Sequence, residues 1–383
     1  MKQTAIAAMC MTMVMGCSNP KEDSLDALFS GIFPPDEPGA AVLVMQGDKV
    51  VFDRGYGLAD IRKGTRITGD TFFNIASCSK QFTAVAVLQL VQQGLINLDD
   101  KVTDYFPEYT DPVWEDIRIW HLLSHSSGIP DKRGYLTREQ KINGDEALAT
   151  EYLASLHELH FTPGTQYEYI NPTFVLLGQL VERVSGKEFT AYVHDSIFVP
   201  AGMDETLYFD RDRQDLIPRM SHGYEFDDVE DMPEERTASG SEGPKEWYEY
   251  DFGEETFFAT RPDGGIYTSV HEFAKWEKAL RNAAVLDREW LDMAWTPRTL
   301  VYGSEFSDYQ NRPGTWYGYG WFIEPRDESP VIYHTGDNGG FKILAARYPS
   351  DGTLVLVFAN RADWDRYEVK TRIEEILGIG PNN

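Results

Sequence analysis

The sequence predicts an α+β fold in which an antiparallel sheet flanked by helices stands beside a helical lobe. Three observations carry that prediction. Apolar, β-branched runs cluster near both ends of the 383-residue chain, the middle carries apolar residues at helical spacing, and residues 82–91 are apolar on nearly every side. A helix with no solvent face belongs at the centre of a large domain. Strands at both ends with helices between them imply one sheet assembled from the two termini.

Taken in order, residues 40–46 and 50–56 flank Gly47-Asp48 and read as a hairpin. The apolar helix at 82–91 follows, with Gly94 closing it. A short helix through Ile117 and Leu123 breaks at residues 124–130. Residues 146–159 have helical period, and Thr162-Pro163-Gly164 turns the chain. Residues 173–184 form another helix, with Pro172 suited to its first turn and Ser185-Gly186 at its end. Asp263-Gly264-Gly265 leads into a helix at 269–280. Strands are then predicted at 316–323, 331–334, 342–348 and 354–359, and their short links make the pairs antiparallel. Residues 366–377 close the chain as an amphipathic helix.

The N-terminus carries one Lys, an apolar run at 5–15, and then Gly16-Cys17-Ser18. A short basic region followed by a short apolar one describes an export signal too short to span a membrane. Val14-Met15-Gly16-Cys17 is similar to a bacterial lipobox, which would make residues 1–16 the signal and Cys17 the lipidated first residue of a membrane-anchored lipoprotein. The polar, acidic stretch 17–26 is then expected to be a tether, with the folded domain at 27–383. Cys10, Cys17 and Cys78 are the only cysteines. With Cys10 cleaved away and Cys17 acylated, Cys78 is expected to have no disulfide partner.

The formal charge of -27 argues against nucleic acid as a partner. It also disfavours long-range capture of anions unless the site itself is positive. Acidic residues concentrate at 224–255, where only Arg236 and Lys245 oppose them. No calcium-loop spacing is present there, and the stretch is expected to be a solvated surface excursion.

Ser77 and Lys80 open the apolar helix three residues apart, so their side chains share one face. An amine there can take the hydroxyl proton as Ser77 attacks a carbonyl, although a merely solvated Ser and Lys would give the same tetrapeptide. Two further pieces stand out, Tyr169-Ile170-Asn171 before a helix and His334-Thr335-Gly336 at a strand end. Alone, Tyr169 could be a core tyrosine and Asn171 a helix N-cap. There is no G-x-S-x-G elbow. His121 and His125 lack the H-E-x-x-H glutamate, and His157 and His160 are expected on a helix without a third ligand, so no metal site is expected.

Taken together, the order and spacing of the three pieces resemble the serine β-lactamase superfamily, in its class C β-lactamase, D-alanyl-D-alanine carboxypeptidase and esterase branch. Leu95-Ile96-Asn97-Leu98-Asp99-Asp100, His121-Leu122-Leu123-Ser124-His125-Ser126-Ser127-Gly128, Phe161-Thr162-Pro163-Gly164 and Asp263-Gly264-Gly265 add to the likeness, which runs from about residue 28 to residue 378. It implies a β-lactamase/transpeptidase-like fold, one catalytic domain of two lobes, and no cofactor. It further implies Ser77 as nucleophile, Lys80 as its proton acceptor, and Tyr169 as the phenol that protonates the leaving group and later activates water. By the same likeness Asn171 binds the substrate amide. His334, Thr335 and Gly336 form the strand edge beside the substrate, and the Asp337 N–H is a second oxyanion donor, the kind whose loss lowers kcat by ~10²–10³.

One departure matters. Most true β-lactamases have Lys where His334 stands, and a permanent charge there binds the drug's carboxylate. A histidine with a pKa near ~6.5 is only partly charged at neutral pH. The sequence therefore leads us to expect weak β-lactam hydrolysis, and affinity for carboxylate-bearing substrates that falls as His334 titrates. The leading reading is an exported serine hydrolase acting on D-amino-acid peptides, cyclic amides or esters. Its alternative is a membrane-tethered penicillin-binding sensor without turnover. Residues 131–144 and 224–255 are expected to shape the cleft, and oligomeric state is not encoded in any motif.

Overall fold

The hairpin pairs as its sequence predicts, with β1 at Ala40–Gln46, β2 at Lys49–Tyr56, and Gly47 turning at φ +58° between them. The structure, a computed structural model, describes residues 19–131, 137, 146–210, 217, 219–226, 247–249, 260–307, 312, 314–327 and 329–380. Six strands from the far end of the chain join this hairpin: β3 Thr299–Leu300, β4 Trp316–Tyr317, β5 Phe322–Glu324, β6 Val331–Asn338, β7 Phe341–Tyr348 and β8 Thr353–Ala359. The spatial order is β3-β4-β5-β6-β7-β8-β1-β2, with every neighbour antiparallel. The two termini meet where β1 pairs with β8, Ala40 opposite Ala359.

Both faces of this sheet are covered, which explains why its central strands read as unbroken apolar runs. Alternate residues of β8 serve opposite cores: Leu354, Leu356 and Phe358 face the helical lobe, whereas Val355, Val357 and Ala359 face the other side. That second side is closed by α1 (Pro20–Ile32) and by the C-terminal helix Arg366–Leu377. On the lobe side α2 (Lys80–Gln92) runs through the middle, with every residue from Lys80 to Val91 buried. This full burial is why its sequence shows no polar stripe.

α1 corrects one expectation. Residues 20–26 are not a tether but the first half of a packed helix. Leu25, Leu28 and Phe29 enter the core, Lys21 Nζ donates to the Leu377 carbonyl at 2.6 Å, and Tyr56 Oη donates to Asp26 at 2.8 Å. The stretch looked like a linker because its polar residues cover the solvent face while its few apolar ones sit at helical spacing. The expected signal at 1–16 and Cys17 lie outside the described residues, and among the described residues no helix is long and apolar enough to cross a membrane.

Further boundaries differ from expectation, among them the strand predicted at 331–334, which runs on to Asn338 and so holds His334-Thr335-Gly336 within it and not at its end. The strand predicted at 316–323 is split into β4 and β5, because Gly320 adopts φ +85° and the Gly318 N–H turns back to the Trp321 carbonyl. The helix predicted at 146–159 stops at Ala154, so His157 and His160 lie beyond it, against Asp111 and Glu168 respectively. The acidic excursion is described only at its base, where Tyr224–Phe226 pairs with Trp247–Glu249 and the Tyr224 N–H donates to the Asn360 carbonyl.

If α1 belongs to the fold, Phe29→Ala, at a site with no exposure, lowers unfolding free energy by about 3–5 kcal/mol in urea denaturation. A change near zero would return the segment to the status of a tether.

Candidate active site

The approach to Ser77 is set by short-range hydrogen bonds. Asn74 Oδ1 accepts the Ala76 N–H at 2.8 Å, and Ala76 takes φ +46°, a conformation rarely held by a residue with a Cβ. A tight turn at Ala76–Ser79 then feeds into α2. Between residues 71 and 91 only Ser77 escapes full burial. A left-handed residue immediately before it costs of order 1–3 kcal/mol and persists because the surrounding bonds fix it: the Ile75 N–H is held by the Ile266 carbonyl at 3.0 Å, and Ser79 Oγ accepts the Ile266 N–H at 3.2 Å.

Lys80 is wholly buried, and its Nζ lies 3.2 Å from Ser77 Oγ, 2.6 Å from Asn171 Oδ1 and 2.7 Å from the Asp263 carbonyl oxygen. The last two groups can only accept, so they take two N–H bonds from the amine. The third direction faces Ser77 Oγ. In the ammonium form it is an N–H, and in the neutral amine it is the lone pair that can receive the hydroxyl proton. The Asp263 carbonyl is supplied by the turn Arg261–Gly264, which is fastened to α2 by Thr83 Oγ1 donating to the Pro262 carbonyl.

Asn171 is the first residue of the helix Asn171–Ser185, and Ile170 occupies the capping position without a side-chain bond. The N-cap alternative for Asn171 is therefore excluded, since its oxygen goes to Lys80. Tyr169, two residues earlier, places its ring centroid 5.0 Å from Lys80 Nζ. Tyr169 and Asn171 are both partly exposed between the buried residues Glu168, Ile170 and Pro172. Ser77, Lys80, Tyr169 and Asn171 thus meet around one amine.

β6 lies along the other wall. Gly336 is required there, because a Cβ at that position would sit 2.3 Å from the Ile75 carbonyl oxygen. Thr335 is buried, and Asp337 is exposed with its carboxylate on the Arg366 guanidinium. Arg366 also donates to the Gly336 carbonyl at 2.9 Å and the Ile343 carbonyl at 3.1 Å, tying the ends of β6 and β7 to the last helix.

His334 corrects a second expectation. It is buried, its Nδ1 lies 2.7 Å from the Thr335 carbonyl oxygen, and its Nε2 lies 2.9 Å from Tyr317 Oη. A carbonyl only accepts, so Nδ1 carries the proton and Nε2 accepts from the phenol. Burial, followed by the nearby Lys80 charge, pushes the imidazole pKa well below its usual value. The ring is neutral at physiological pH, not partly charged, and its titration cannot govern carboxylate affinity there.

Tyr317, Arg366 and His125 are parts of the site that the sequence reading passed over. Tyr317 was visible only as one aromatic in Tyr317-Gly318-Tyr319-Gly320-Trp321, and Arg366 only as the start of a helix. His125 stands out in the sequence only as one of two histidines four residues apart without the H-E-x-x-H glutamate. Among the described residues no cluster of His, Cys, Asp or Glu could hold a metal ion. The Cys78 thiol beside Ser77 is buried, and desolvation raises its pKa far out of the reactive range.

Comparison with known proteins shows the family and the fold. The β-lactamase family model matches residues 32–378. A curated penicillin-binding protein of Bacillus subtilis (strain 168) is 25% identical over 361 residues, spanning 91% of this chain and 74% of its own length. The crystal structure of a penicillin-binding protein from Bacillus halodurans superposes with a TM-score of 0.73 and 26% identity, covering 92% of this chain and 98% of that one. A D-amino acid amidase from Ochrobactrum anthropi shares the fold at a TM-score of 0.68 and 23% identity, covering 94% and 97% of the two chains.

The close approach of β6 to the Ser77 turn makes Gly336→Ala a sharp probe. The added methyl forces the strand away, with an expected loss of about 1–3 kcal/mol in urea denaturation. Unchanged stability would mean that the two walls are not in contact.

Proposed function

This chain belongs to the β-lactamase family, and from that premise we propose that it is an exported serine hydrolase working through an acyl-enzyme on Ser77. Its substrates in this reading are D-amino-acid peptides and amides, cyclic amides or esters, with β-lactams hydrolysed weakly. What carries the reading is the Lys80 amine, two of whose bonds are committed to Asn171 and Asp263 while the third direction meets Ser77 Oγ at 3.2 Å. A protein that only bound ligands would have no need to bury an amine against a hydroxyl.

Ser77 Oγ attacks the substrate carbonyl while its proton passes to the Lys80 amine. Negative charge on the carbonyl oxygen is met by the Ser77 and Asp337 backbone N–H groups. As the bond to the leaving group breaks, the Tyr169 phenol protonates that group and recovers a proton from Lys80. Water then attacks the Ser77 ester, giving its proton to the phenol oxygen as the phenol's own proton passes to Lys80, and Lys80 returns a proton to Ser77 Oγ as the acid is released.

The leaving-group side of the substrate is expected to be uncharged. His334 is neutral, and the Arg366 guanidinium is engaged by two carbonyls and Asp337. The fold shared with a D-amino acid amidase agrees with that preference. Acylation at Cys17 would anchor the enzyme, and because α1 begins at Pro20 the folded domain would lie close to the membrane surface.

Two measurements test this. Ser77→Ala is expected to lower nitrophenyl ester turnover by on the order of 10³-fold or more and to abolish labelling by a fluorophosphonate. Labelling of wild type without turnover would favour the sensor alternative, and no labelling would remove both. Separately, the kcat/KM ratio of a D-amino acid amide to the matching carboxylate-bearing peptide is expected to favour the amide and stay flat from about pH 6 to about pH 9. A ratio that rises through the ordinary histidine pKa of ~6.5 would restore a titrating His334.

A further inference from the structure

We infer that His125 is the positioning residue for the Tyr169 phenol, through bonds that grip the chain on both sides of it. His125 follows the helix Ile119–Leu123, is 1% exposed, and takes φ +52°. Its carbonyl oxygen accepts the Glu168 N–H at 3.0 Å, and its ring Nδ1 accepts the Ile170 N–H at 3.1 Å. The amides immediately before and after Tyr169 therefore end on one residue. The imidazole also lies against the Tyr169 ring, with centroids 4.2 Å apart and planes at 34°, and is backed by Phe174 at 5.1 Å and Tyr317 at 4.8 Å.

This geometry matters because Tyr169 lies outside any helix or sheet strand. An extended stretch has no ladder of its own to hold a side chain, so its placement depends on outside groups. A proton donor must sit within a fraction of an ångström of its target for the transfer to be efficient. Because Nδ1 accepts an amide N–H, the imidazole proton sits on Nε2, and the acceptor nitrogen of the ring is committed to the chain beside Tyr169. The unusual φ fits the role, since the left-handed turn lets the carbonyl and the ring of one residue reach amides two positions apart.

The inference rests on the proposed function and is tested by leaving-group dependence. In acylation, the breaking C–N bond of an anilide requires a proton from the Tyr169 phenol for the departing nitrogen, while the Ser77 ester forms. A nitrophenolate departs with its electron pair and needs no proton. Single-turnover acylation is measured with a D-alanine nitroanilide and the corresponding nitrophenyl ester. His125→Ala is expected to slow the anilide by about 10²-fold, in the range of general acid catalysis, and the ester by only a few-fold. His125→Asn, whose Oδ1 stands where Nδ1 stood and which tolerates a positive φ, is expected to recover most of the anilide rate. If the Ala variant does not fold, His125→Gly, which also lacks the acceptor, replaces it.

Equal losses on both substrates, or no recovery by Asn, overturn the inference. Tyr169→Phe in the same assay separates it from its premise. If Tyr169→Phe also shows no anilide selectivity, the role of the phenol fails. If Tyr169→Phe is selective and His125→Ala is not, only the positioning role fails. A wild-type protein that acylates with neither substrate overturns the proposed function itself.

Discussion

The structure around the cleft depends on one buried amine. Taking Lys80 out of water is costly unless each of its N–H groups is met, and the groups that meet it come from three separate parts of the chain: Ser77 from the turn before α2, Asn171 from the start of a lobe helix, and Asp263 from the turn fastened to α2 by Thr83. Satisfying the amine and assembling the site are the same event. Any folded state that buries Lys80 must bring these segments together, and the Ser77 hydroxyl is then in contact with the amine.

The sheet supplies the opposite wall through a second constraint, the lack of room between β6 and the Ser77 turn. Gly336 allows the strand to pass against the Ile75 carbonyl, and Arg366 holds the strand end by its carbonyls. His334 is locked between the Thr335 carbonyl and Tyr317. The result is an edge on which the imidazole is neutral and the one carboxylate, Asp337, is paired with Arg366.

Much of the fold was legible because local and tertiary demands agree there. The hairpin at Gly47, the apolar run that became α2 and the final helix Arg366–Leu377 each carry a period or a turn residue that decides their form. Failures came where context overrode pattern. An apparent strand at 316–323 is folded back by its glycines, and polar residues at 20–26 conceal a helix that enters the core through Leu25, Leu28 and Phe29. The Ser77, Lys80, Tyr169 and Asn171 set was legible through a resemblance, while Tyr317, Arg366 and His125 were not, since nothing in the local sequence says which distant groups they touch.

By itself the sequence determined the kinds of elements, the meeting of the two termini in one sheet and the residue types of the candidate chemistry, because these follow from periodicity, turn residues and motif. The tertiary structure alone decided their chemical states. Whether Asn171 caps a helix or receives an amine, and whether the His334 imidazole is charged or neutral, depends on burial and on partners from other elements of the fold. A protonation state is a property of the environment, and only folding creates that environment.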